Sequence, residues 1–511
     1  MICTFSARFL PHKDPSKMLR RLHALHLLLL LLIALPASGV AQPASLAGLD
    51  VYIESAMADW EVPGLAIAVV KDDEVIYARG FGVTEIGGNQ PVDEHTMFAI
   101  ASTTKAFTAA ALGILVDEGK IAWDDPVRKH LPLFSVADPY ISREMTIRDL
   151  LTHRTGLAGH NNLWIASPFD RDELVRRLRF LPQESGFRSE YRYNNLMYIV
   201  AGEVVEAASG MLWDDFLEQR IFEPLGMTRT TTRSADVDAA ENVTSSHARV
   251  DGKIRPIGRR NYDTLGGGGS IFSTVHDMAQ WVRLHLAKGE FDGRRIIDEE
   301  TIDEMHEPQV VIRIGDSDRK LFPDRMLSAY GLGWRIHDYR GRKVVQHTGW
   351  VNYTRTQVGM IPSEGIGMVA FSNSDFSGLH SALMYRVFDI LLGAPEMDWS
   401  SAMLENSSGS GGSQMTRVAG TSPSLDLIRY AGVYTDSLYG SVRVDLENGG
   451  LVLRYSQEYV ADLEHWHFNT FRARWRPTGF GGTFATFSLD HRGEIESLDL
   501  RGFTTFDRRD E

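Results

Sequence analysis

Short apolar runs early and late in the chain predict β-strands. Near the beginning, Leu65–Lys71 (LAIAVVK) and Glu74–Arg79 (EVIYAR) flank a pair of aspartates, which is typical of a β-hairpin. Strand-like segments return much later, at 332–336, 344–349, 353–359 and 366–371, with turn residues between them. We expect the early and late strands to pair in one antiparallel sheet.

Apolar positions in the middle of the chain recur with helical spacing. Helices are predicted over Thr103–Glu118, from Asn195 to Gly210, over 278–286 and over 377–392, and the T-x-x-D spacing at Thr146–Asp149 and Thr274–Asp277 marks helix starts. Helices on both faces of an antiparallel sheet give an α/β (α+β) sandwich.

The C-terminal part of the chain has a different pattern. Asn406–Ser413 (NSSGSGGS) has the composition of a flexible linker, which we place within 400–423. Short strands with regular turns fill 424–511 and predict a small all-β, barrel-like domain.

The N-terminus has the features of a cleavable export signal, assigned to residues 1–41. Arg20 and Arg21 precede an apolar run from Leu25 to Leu35, and the small residues up to Ala41 form a cleavage site. Met18 is an alternative start. This pattern predicts a periplasmic or secreted protein with no transmembrane domain after the signal is removed.

Composition excludes several kinds of site in the mature chain. Cys3 is the only cysteine and lies inside the signal, so no disulfide, cysteine nucleophile or thiolate metal site is expected. Removing residues 1–41 removes five positive charges and one negative charge, which takes the net charge from −14 to −18. Such a surface disfavours nucleic acid and anionic membranes as partners.

The strongest chemical signal is Ser102 and Lys105, which follow the apolar run MFAIA at the start of a predicted apolar helix. Residues three apart share a helix face, so an amine there can take the proton of the serine hydroxyl. Free N–H groups at a helix N-terminus also suit an oxyanion. A second Ser-x-x-Lys, Ser317–Lys320, lies in the polar run GDSDRK and is interpreted as a solvated loop.

Two further motifs occur once each, Tyr193-Asn-Asn195 and His347-Thr348-Gly349. Alone, a tyrosine before a helix is usually a packing residue and a strand histidine is usually a satisfied core residue. With Ser102 and Lys105, in this order, the chain resembles the serine β-lactamase and penicillin-binding protein superfamily, in the branch of class C β-lactamases and D-alanyl-D-alanine carboxypeptidases. The resemblance covers 48–395 and includes VPGLAIAVV, LLTHRTGL, IFEPLGM and GGGGSIFSTVHDMAQW.

The resemblance implies a role for each motif residue. Ser102 would be the nucleophile, and Lys105 would keep its hydroxyl acidic. Tyr193 would be the general base for acylation, although lysine and tyrosine both remain candidates for that role. Asn195 would bind Lys105 and a substrate amide, and the N–H groups of Ser102 and Trp350 would form the oxyanion hole.

The third motif departs from the β-lactamases of this branch, which usually have lysine at the position of His347. Several peptidases of the branch have histidine there, and histidine is only partly protonated near neutral pH, so the resemblance favours a peptidase of the D-aminopeptidase or DD-peptidase kind over a dedicated β-lactamase. His347 and Thr348 would then orient a terminal carboxylate or amide. An esterase or weak β-lactamase on the same site remains an alternative, as does a slowly acylating penicillin-binding sensor.

The remaining features have simpler interpretations. His153 is interpreted as a backbone cap, and Gly266–Gly269 as close backbone packing beside the site. His465 and His467 are more consistent with an interface than with a metal site, since no third ligand is evident.

No cofactor or metal is predicted, and the absence of G-x-S-x-G and H-E-x-x-H excludes α/β-hydrolases and zinc proteases. The expected ligands are small peptide or ester substrates, with β-lactams as acylating ligands. The end of the chain resembles the lipocalin-like domain of some related peptidases. In those it packs near the active site or mediates assembly, so the resemblance implies a homo-oligomer formed through that domain.

Overall fold

The structure, a computed structural model, describes residues 46–165, 167–375, 378–407, 416–477 and 481–509. The predicted signal peptide and its cleavage site after Ala41 lie outside these residues, as do residues 408–413 of the predicted linker.

Strands and helices are mixed in the first three quarters of the chain, whereas the described residues beyond the predicted linker form strands and one 3-10 turn, Leu427–Tyr430. The strands are β1 Gly64–Lys71, β2 Glu74–Gly82, β3 Phe98–Ala99, β4 Ser246–Val250, β5 Lys253–Ile257, β6 Phe272–Ser273, β7 Glu290–Phe291, β8 Arg294–Arg295, β9 Val310–Val311, β10 Ser328–Tyr330, β11 Arg335–Tyr339, β12 Arg342–Val351, β13 Thr354–Ile361, β14 Ile366–Ser372, β15 Gly432–Asp436, β16 Gly440–Glu447, β17 Gly450–Arg454, β18 Val460–His467, β19 Thr470–Trp475, β20 Gly482–Leu489, β21 Ile495–Leu500 and β22 Thr505–Arg508. The helices are α1 Leu49–Asp59, α2 Thr104–Asp117, α3 Val127–His130, α4 Pro139–Glu144, α5 Ile147–Thr152, α6 Arg171–Arg177, α7 Leu196–Ser209, α8 Trp213–Leu217, α9 Glu223–Leu225, α10 Ser234–Ala239, α11 Val275–Leu286, α12 Glu299–Met305, α13 Asp316–Leu321, α14 Leu379–Leu392 and α15 Trp399–Ser407.

The larger domain is built on an eight-stranded antiparallel sheet with the order β2-β1-β14-β13-β12-β11-β10-β9. Leu65 lies opposite Ser372 and Lys71 opposite Ile366, so the predicted pairing of early and late strands is confirmed. Alternate residues of β1 enter different cores: Leu65 packs with α1 and α14, and Ala66 packs with the helical middle of the chain. Both faces are therefore covered, and the predicted α/β sandwich is confirmed.

Local signals place two helix starts correctly and one strand incorrectly. The Thr146 side chain accepts from the Asp149 N–H in a reciprocal capping box, and Thr274 accepts from the Asp277 N–H. The strand predicted at 332–336 instead begins at Arg335, because Gly333 has a left-handed φ of +82° that ends an extended run.

The C-terminal domain is a closed barrel of eight antiparallel strands, β15 to β22. Apolar side chains that alternate along the strands fill its interior, among them Val442, Leu453, Phe471 and Phe506. The all-β, barrel-like prediction is confirmed.

Within the described ranges, no single helix is long and apolar enough to cross a bilayer, although the bent pair Leu196–Ser209 and Trp213–Leu225 reaches that length and composition together.

Candidate active site

Ser102 lies in a tight turn between a short strand and the central helix. Strand β3 pairs with β6, and the chain then passes through a 3-10 turn, Ala101–Thr103, into α2. Ala101 has a φ of +50°, a left-handed conformation that an alanine adopts only at a cost of about 1–2 kcal/mol. Strain of this kind persists where the surrounding structure fixes the backbone, and it is common at active sites.

Lys105 lies one helical turn beyond Ser102 and is completely buried. Its Nζ lies 3.2 Å from Oγ of Ser102, 2.7 Å from Oδ1 of Asn195 and 2.6 Å from the carbonyl oxygen of Gly268. The predicted contacts of Lys105 with Ser102 and Asn195 are therefore both present.

Burial lowers the pKa of Lys105 well below its ordinary value, since the charged form loses its hydration. Nζ donates to the oxygens of Asn195 and Gly268, which only accept, and to Oγ of Ser102. When the amine is neutral, its lone pair can instead accept the proton of the Ser102 hydroxyl, which both donates and accepts.

Tyr193 and Tyr198 enclose the lysine from the side, with Nζ 4.9 Å and 5.2 Å from the two ring centroids. Burial raises the pKa of the Tyr193 phenol, and a side-chain hydrogen bond to Ser102 partly opposes that rise. Tyr193 is therefore a neutral phenol next to the serine. The Tyr198 hydroxyl donates to the carbonyl of Leu151 at 2.5 Å, which is a structural contact.

His347 reaches the site from β12, but both of its ring nitrogens are already bonded. Nδ1 lies 2.7 Å from the carbonyl oxygen of Thr348 and donates to it, which leaves Nε2 to accept from the Tyr330 hydroxyl at 2.9 Å. Burial, with the charge of Arg335, lowers the pKa of His347 well below 6.5. His347 is thus a neutral residue with neither ring nitrogen free to orient a substrate carboxylate.

Arg335, at the start of β11, is a cation of the site that the sequence motifs do not reveal. It lines the same cavity as Ser102, Tyr193 and His347, and it donates to the Tyr191 hydroxyl at 3.0 Å. No motif marks it, because β11 reaches the site only through its pairing with β12.

Gly349 allows β12 to lie directly against the Ser102 turn. A Cβ at this position would lie 2.2 Å from Oγ1 of Thr356 and 2.3 Å from the carbonyl oxygen of Ile100. Thr348 and Trp350, on either side, line the cavity, and the Trp350 side chain is 53% exposed at its rim.

The glycine run lies on the other side of Lys105. A Cβ at Gly267 would lie 2.6 Å from the carbonyl oxygen of Tyr198, and one at Gly268 would lie 2.8 Å from Leu265. This close approach places the Gly268 carbonyl on Lys105, in agreement with the packing interpretation of the run.

Ser102, Tyr193 and Asn195, together with Arg335 and His347, line a cavity of about 310 Å³. Its wall includes three residues that no sequence pattern singled out, Asn161, Trp164 and Ile165. They come from a turn about thirty residues before the tyrosine motif, and the Oδ1 atom of Asn161 accepts from Nδ2 of Asn195 at 3.0 Å. The polar pattern HNN gave no sign that one amide enters the site.

The three histidines that the sequence analysis singled out beyond the motifs, His153, His465 and His467, contact backbone groups. Nδ1 of the buried His153 accepts from the backbone N–H of Asn194 at 3.1 Å, as expected for a cap. His467 Nδ1 accepts from the Val418 N–H at 3.3 Å, and His465 Nε2 lies 3.0 Å from the carbonyl of Phe468. In the part of the chain that the structure describes, no group of three or more His, Cys, Asp or Glu side chains could hold a metal ion.

Comparison with known protein families gives two matches. Residues 49–391 match the family described as Beta-lactamase, and residues 416–511 match a family described only as a domain of unknown function, DUF3471.

Individual proteins match along most of their length. The chain is 28% identical to Unguisins hydrolase ungD of Aspergillus violaceofuscus, covering 76% of this chain and 74% of that protein. It is 25% identical to a D-aminopeptidase of Brucella anthropi, covering 74% of this chain and 71% of that protein. Among solved structures, the octameric penicillin-binding protein homologue from Pyrococcus abyssi has the same fold, with a TM-score of 0.61 and 22% identity over 90% of this chain and all of the other.

Proposed function

The chain belongs to the Beta-lactamase family, and on that premise we propose that it is a serine hydrolase that cleaves amide bonds of small peptides through an acyl-enzyme. The observation that carries the proposal is the buried Lys105, whose Nζ lies 3.2 Å from Oγ of the half-buried Ser102. Relatives named hydrolase and D-aminopeptidase support the general class.

In the proposed acylation, Lys105 is the proton acceptor. Burial favours the neutral forms of both Lys105 and Tyr193, and a neutral amine is a base whereas a neutral phenol is not. The Ser102 proton passes to Nζ as Oγ forms a bond to the substrate carbonyl carbon. The Tyr193 hydroxyl then relays that proton to the leaving nitrogen as the carbon–nitrogen bond breaks.

Water completes the proposed cycle by cleaving the acyl ester, and the proton returns to Oγ of Ser102. The N–H groups of Ser102 and Trp350 are the proposed donors to the oxyanion in both half-reactions.

Arg335 is the proposed partner for a negatively charged substrate group. It lines the cavity of Ser102 and is permanently charged, whereas both nitrogens of His347 are bonded within the protein. A peptide with a free carboxylate close to the scissile bond suits this arrangement.

Labelling with a fluorophosphonate or a fluorescent penicillin tests the nucleophile. Wild type and Ser317→Ala should be labelled, and Ser102→Ala should not. Ser317 is the matched control because it is the serine of the second, exposed Ser-x-x-Lys sequence. Labelling that survives Ser102→Ala would overturn the assignment.

Comparing kcat/KM on D-amino-acid peptides, their L-enantiomers, p-nitrophenyl esters and nitrocefin tests the substrate class. The D-peptides should give the highest value. A higher value on the esters or on nitrocefin would replace the peptidase with the esterase or β-lactamase alternative. A stable label without turnover would indicate the acylating sensor.

Export and assembly are proposed on the sequence pattern, with the octameric homologue as added support for assembly. The mass of the protein purified from a periplasmic fraction should correspond to a start at Gln42. Light scattering should give a mass of several chains.

A further inference from the structure

One short turn connects the candidate active site to the barrel. It consists of His160 and the 3-10 turn Asn161–Leu163. The neighbouring side chains of Asn161 and Asn162 point to opposite sides of the turn, one to the active site and the other to the barrel. Asn161 accepts from Nδ2 of Asn195 at 3.0 Å, on the side of Lys105. Asn162 donates through Nδ2 to the carbonyl of Gly502 at 2.6 Å, in the barrel.

Two barrel tyrosines contact the same turn. The Tyr459 hydroxyl donates to Oδ1 of Asn162 at 3.2 Å, and Nδ1 of His160 lies 3.0 Å from the Tyr439 hydroxyl. The nitrogen and the oxygen of the Asn162 side-chain amide are therefore both hydrogen-bonded to the barrel. The side-chain amide of Asn161 is instead hydrogen-bonded to Asn195 in the active site.

The barrel presents these groups from a rigid aromatic cluster. Tyr439, Tyr455, Tyr459 and Phe503 are all at least nine-tenths buried, and each tyrosine ring lies within 5.5 Å, centroid to centroid, of Phe503. Such packing gives the hydroxyl groups fixed positions.

The turn depends on outside contacts for its conformation. His160 has a φ of +33° and a ψ of +56°, a left-handed conformation that side chains rarely adopt. A residue in that region stays there only when its surroundings fix it. The hydrogen bonds from the barrel provide such a constraint.

We propose that the barrel positions Asn161 and thereby orients the carboxamide of Asn195, so that Asn162, Tyr459 and Tyr439 are positioning residues for the hydrolase site. The carboxamide of Asn195 accepts from Lys105 on one side and donates to Asn161 on the other. The torsion that rotates this group has only a broad preference, so its two hydrogen bonds fix it. The proposal rests on the function proposed above.

Two single-hydroxyl variants form a matched pair for the test. Tyr459→Phe removes the hydrogen bond to Asn162, and Tyr455→Phe removes a buried hydroxyl that has no hydrogen-bond partner among the described residues. With a p-nitrophenyl ester as probe, we expect Tyr459→Phe to lower kcat about three- to tenfold with little change in KM, in line with one lost hydrogen bond. Tyr455→Phe should match wild type.

A cycle with Asn161→Ala separates positioning from a general loss of stability. If the barrel acts through Asn161, Asn162→Ala should lower kcat about tenfold in wild type and should have no further effect in the Asn161→Ala background. Additive effects, or equal activities for Tyr459→Phe and Tyr455→Phe, would overturn the proposal. Thermal unfolding of every variant identifies any that fails to fold, and Tyr439→Phe then takes its place.

The two proposals fail in different ways. If wild type neither turns over the ester nor takes the label at Ser102, the hydrolase itself is wrong. If wild type is active and the cycle is additive, only the positioning role of the barrel is wrong.

Discussion

The chain contains the sequence Ser-x-x-Lys twice, and both copies are at helix starts. Ser102 lies in the 3-10 turn that leads into α2, and Lys105 lies in the first turn of α2 and is fully buried. Ser317 and Lys320 lie in α13, which has no buried residue, so the loop predicted for the second copy is instead a short exposed helix. The spacing within the two copies is the same. The difference lies in what the rest of the chain places around them.

The buried copy has partners that are distant in sequence. Asn195 and Gly268, which lie 90 and 163 positions from Lys105, each accept a hydrogen bond from it. An unpaired amine in an apolar interior is strongly destabilising, so these contacts make the position tolerable and also set its chemistry. The Ser-x-x-Lys spacing alone therefore does not identify a catalytic pair; the buried contacts around the lysine do.

The two lysines provide the most severe test of this comparison. Lys105→Met should lower kcat/KM by about 10³-fold, because the serine loses its proton acceptor. Lys320→Met, on the exposed helix, should leave the value unchanged. Equal activities, measured on an ester probe with circular dichroism as the folding control, would mean that burial does not distinguish the two copies.

The two tyrosines beside Lys105, Tyr193 and Tyr198, test which contacts of the buried lysine take part in the reaction and which are structural. Tyr193→Phe should lower kcat about 10²-fold, because no hydroxyl remains to return the proton to the leaving group. Tyr198→Phe removes a hydroxyl bonded to the Leu151 carbonyl, and it should lower the free energy of unfolding by about 1 kcal/mol with kcat retained. An intact kcat in Tyr193→Phe would remove this residue from the mechanism.

Sequence patterns were sufficient for the parts of the structure that depend on short-range physics. Short apolar runs predicted most of the central strands of the sheet, and the spacings at Thr146 and Thr274 predicted helix caps that the structure contains. The apolar context of Ser102 also separated it from Ser317 correctly, since burial follows from neighbouring residues.

These short-range patterns could not predict contacts between residues that are distant in sequence. The position of Arg335 depends on the pairing of β11 with β12, and the hydrogen bond that occupies His347 comes from Tyr330 on β10. Asn161 reaches Asn195 only because of how its turn folds. In each case the interacting partner leaves no periodic signal, so the local sequence looks ordinary.

A pair of glycines tests the packing that surrounds the buried copy. Gly349→Ala places a Cβ 2.2 Å from Thr356 and should push β12 away from the Ser102 turn, with a loss of about tenfold in kcat/KM. Gly315 precedes the exposed copy and has an ordinary φ of −76°, and a Cβ added there would meet no heavy atom within 4 Å, so Gly315→Ala should be neutral. Equal losses in the two variants would contradict the role given to Gly349.

Burial lowers the pKa of Lys105, and it also lowers the pKa of three imidazoles elsewhere in the same domain, which yields the smallest predicted effect. Burial lowers the pKa of His306, His337 and His380 to about 3, from an ordinary 6.5. The unfolded chain therefore binds protons that the folded chain excludes once the pH falls below 6.5. The stability from these residues is complete above pH 6.5 and is lost progressively towards pH 3.

His380 isolates one such group, since its Nε2 has no hydrogen-bond partner among the described residues. Between pH 7.5 and about 5.8, each of the three imidazoles should lower the free energy of unfolding by about 1 kcal/mol. Urea unfolding at the two pH values should thus show a smaller difference in His380→Met than in wild type. His491→Gln, at an exposed turn of the barrel, should retain the full difference. An unchanged difference in His380→Met would mean that burial does not govern titration in this domain, and the argument for a neutral Lys105 would weaken with it.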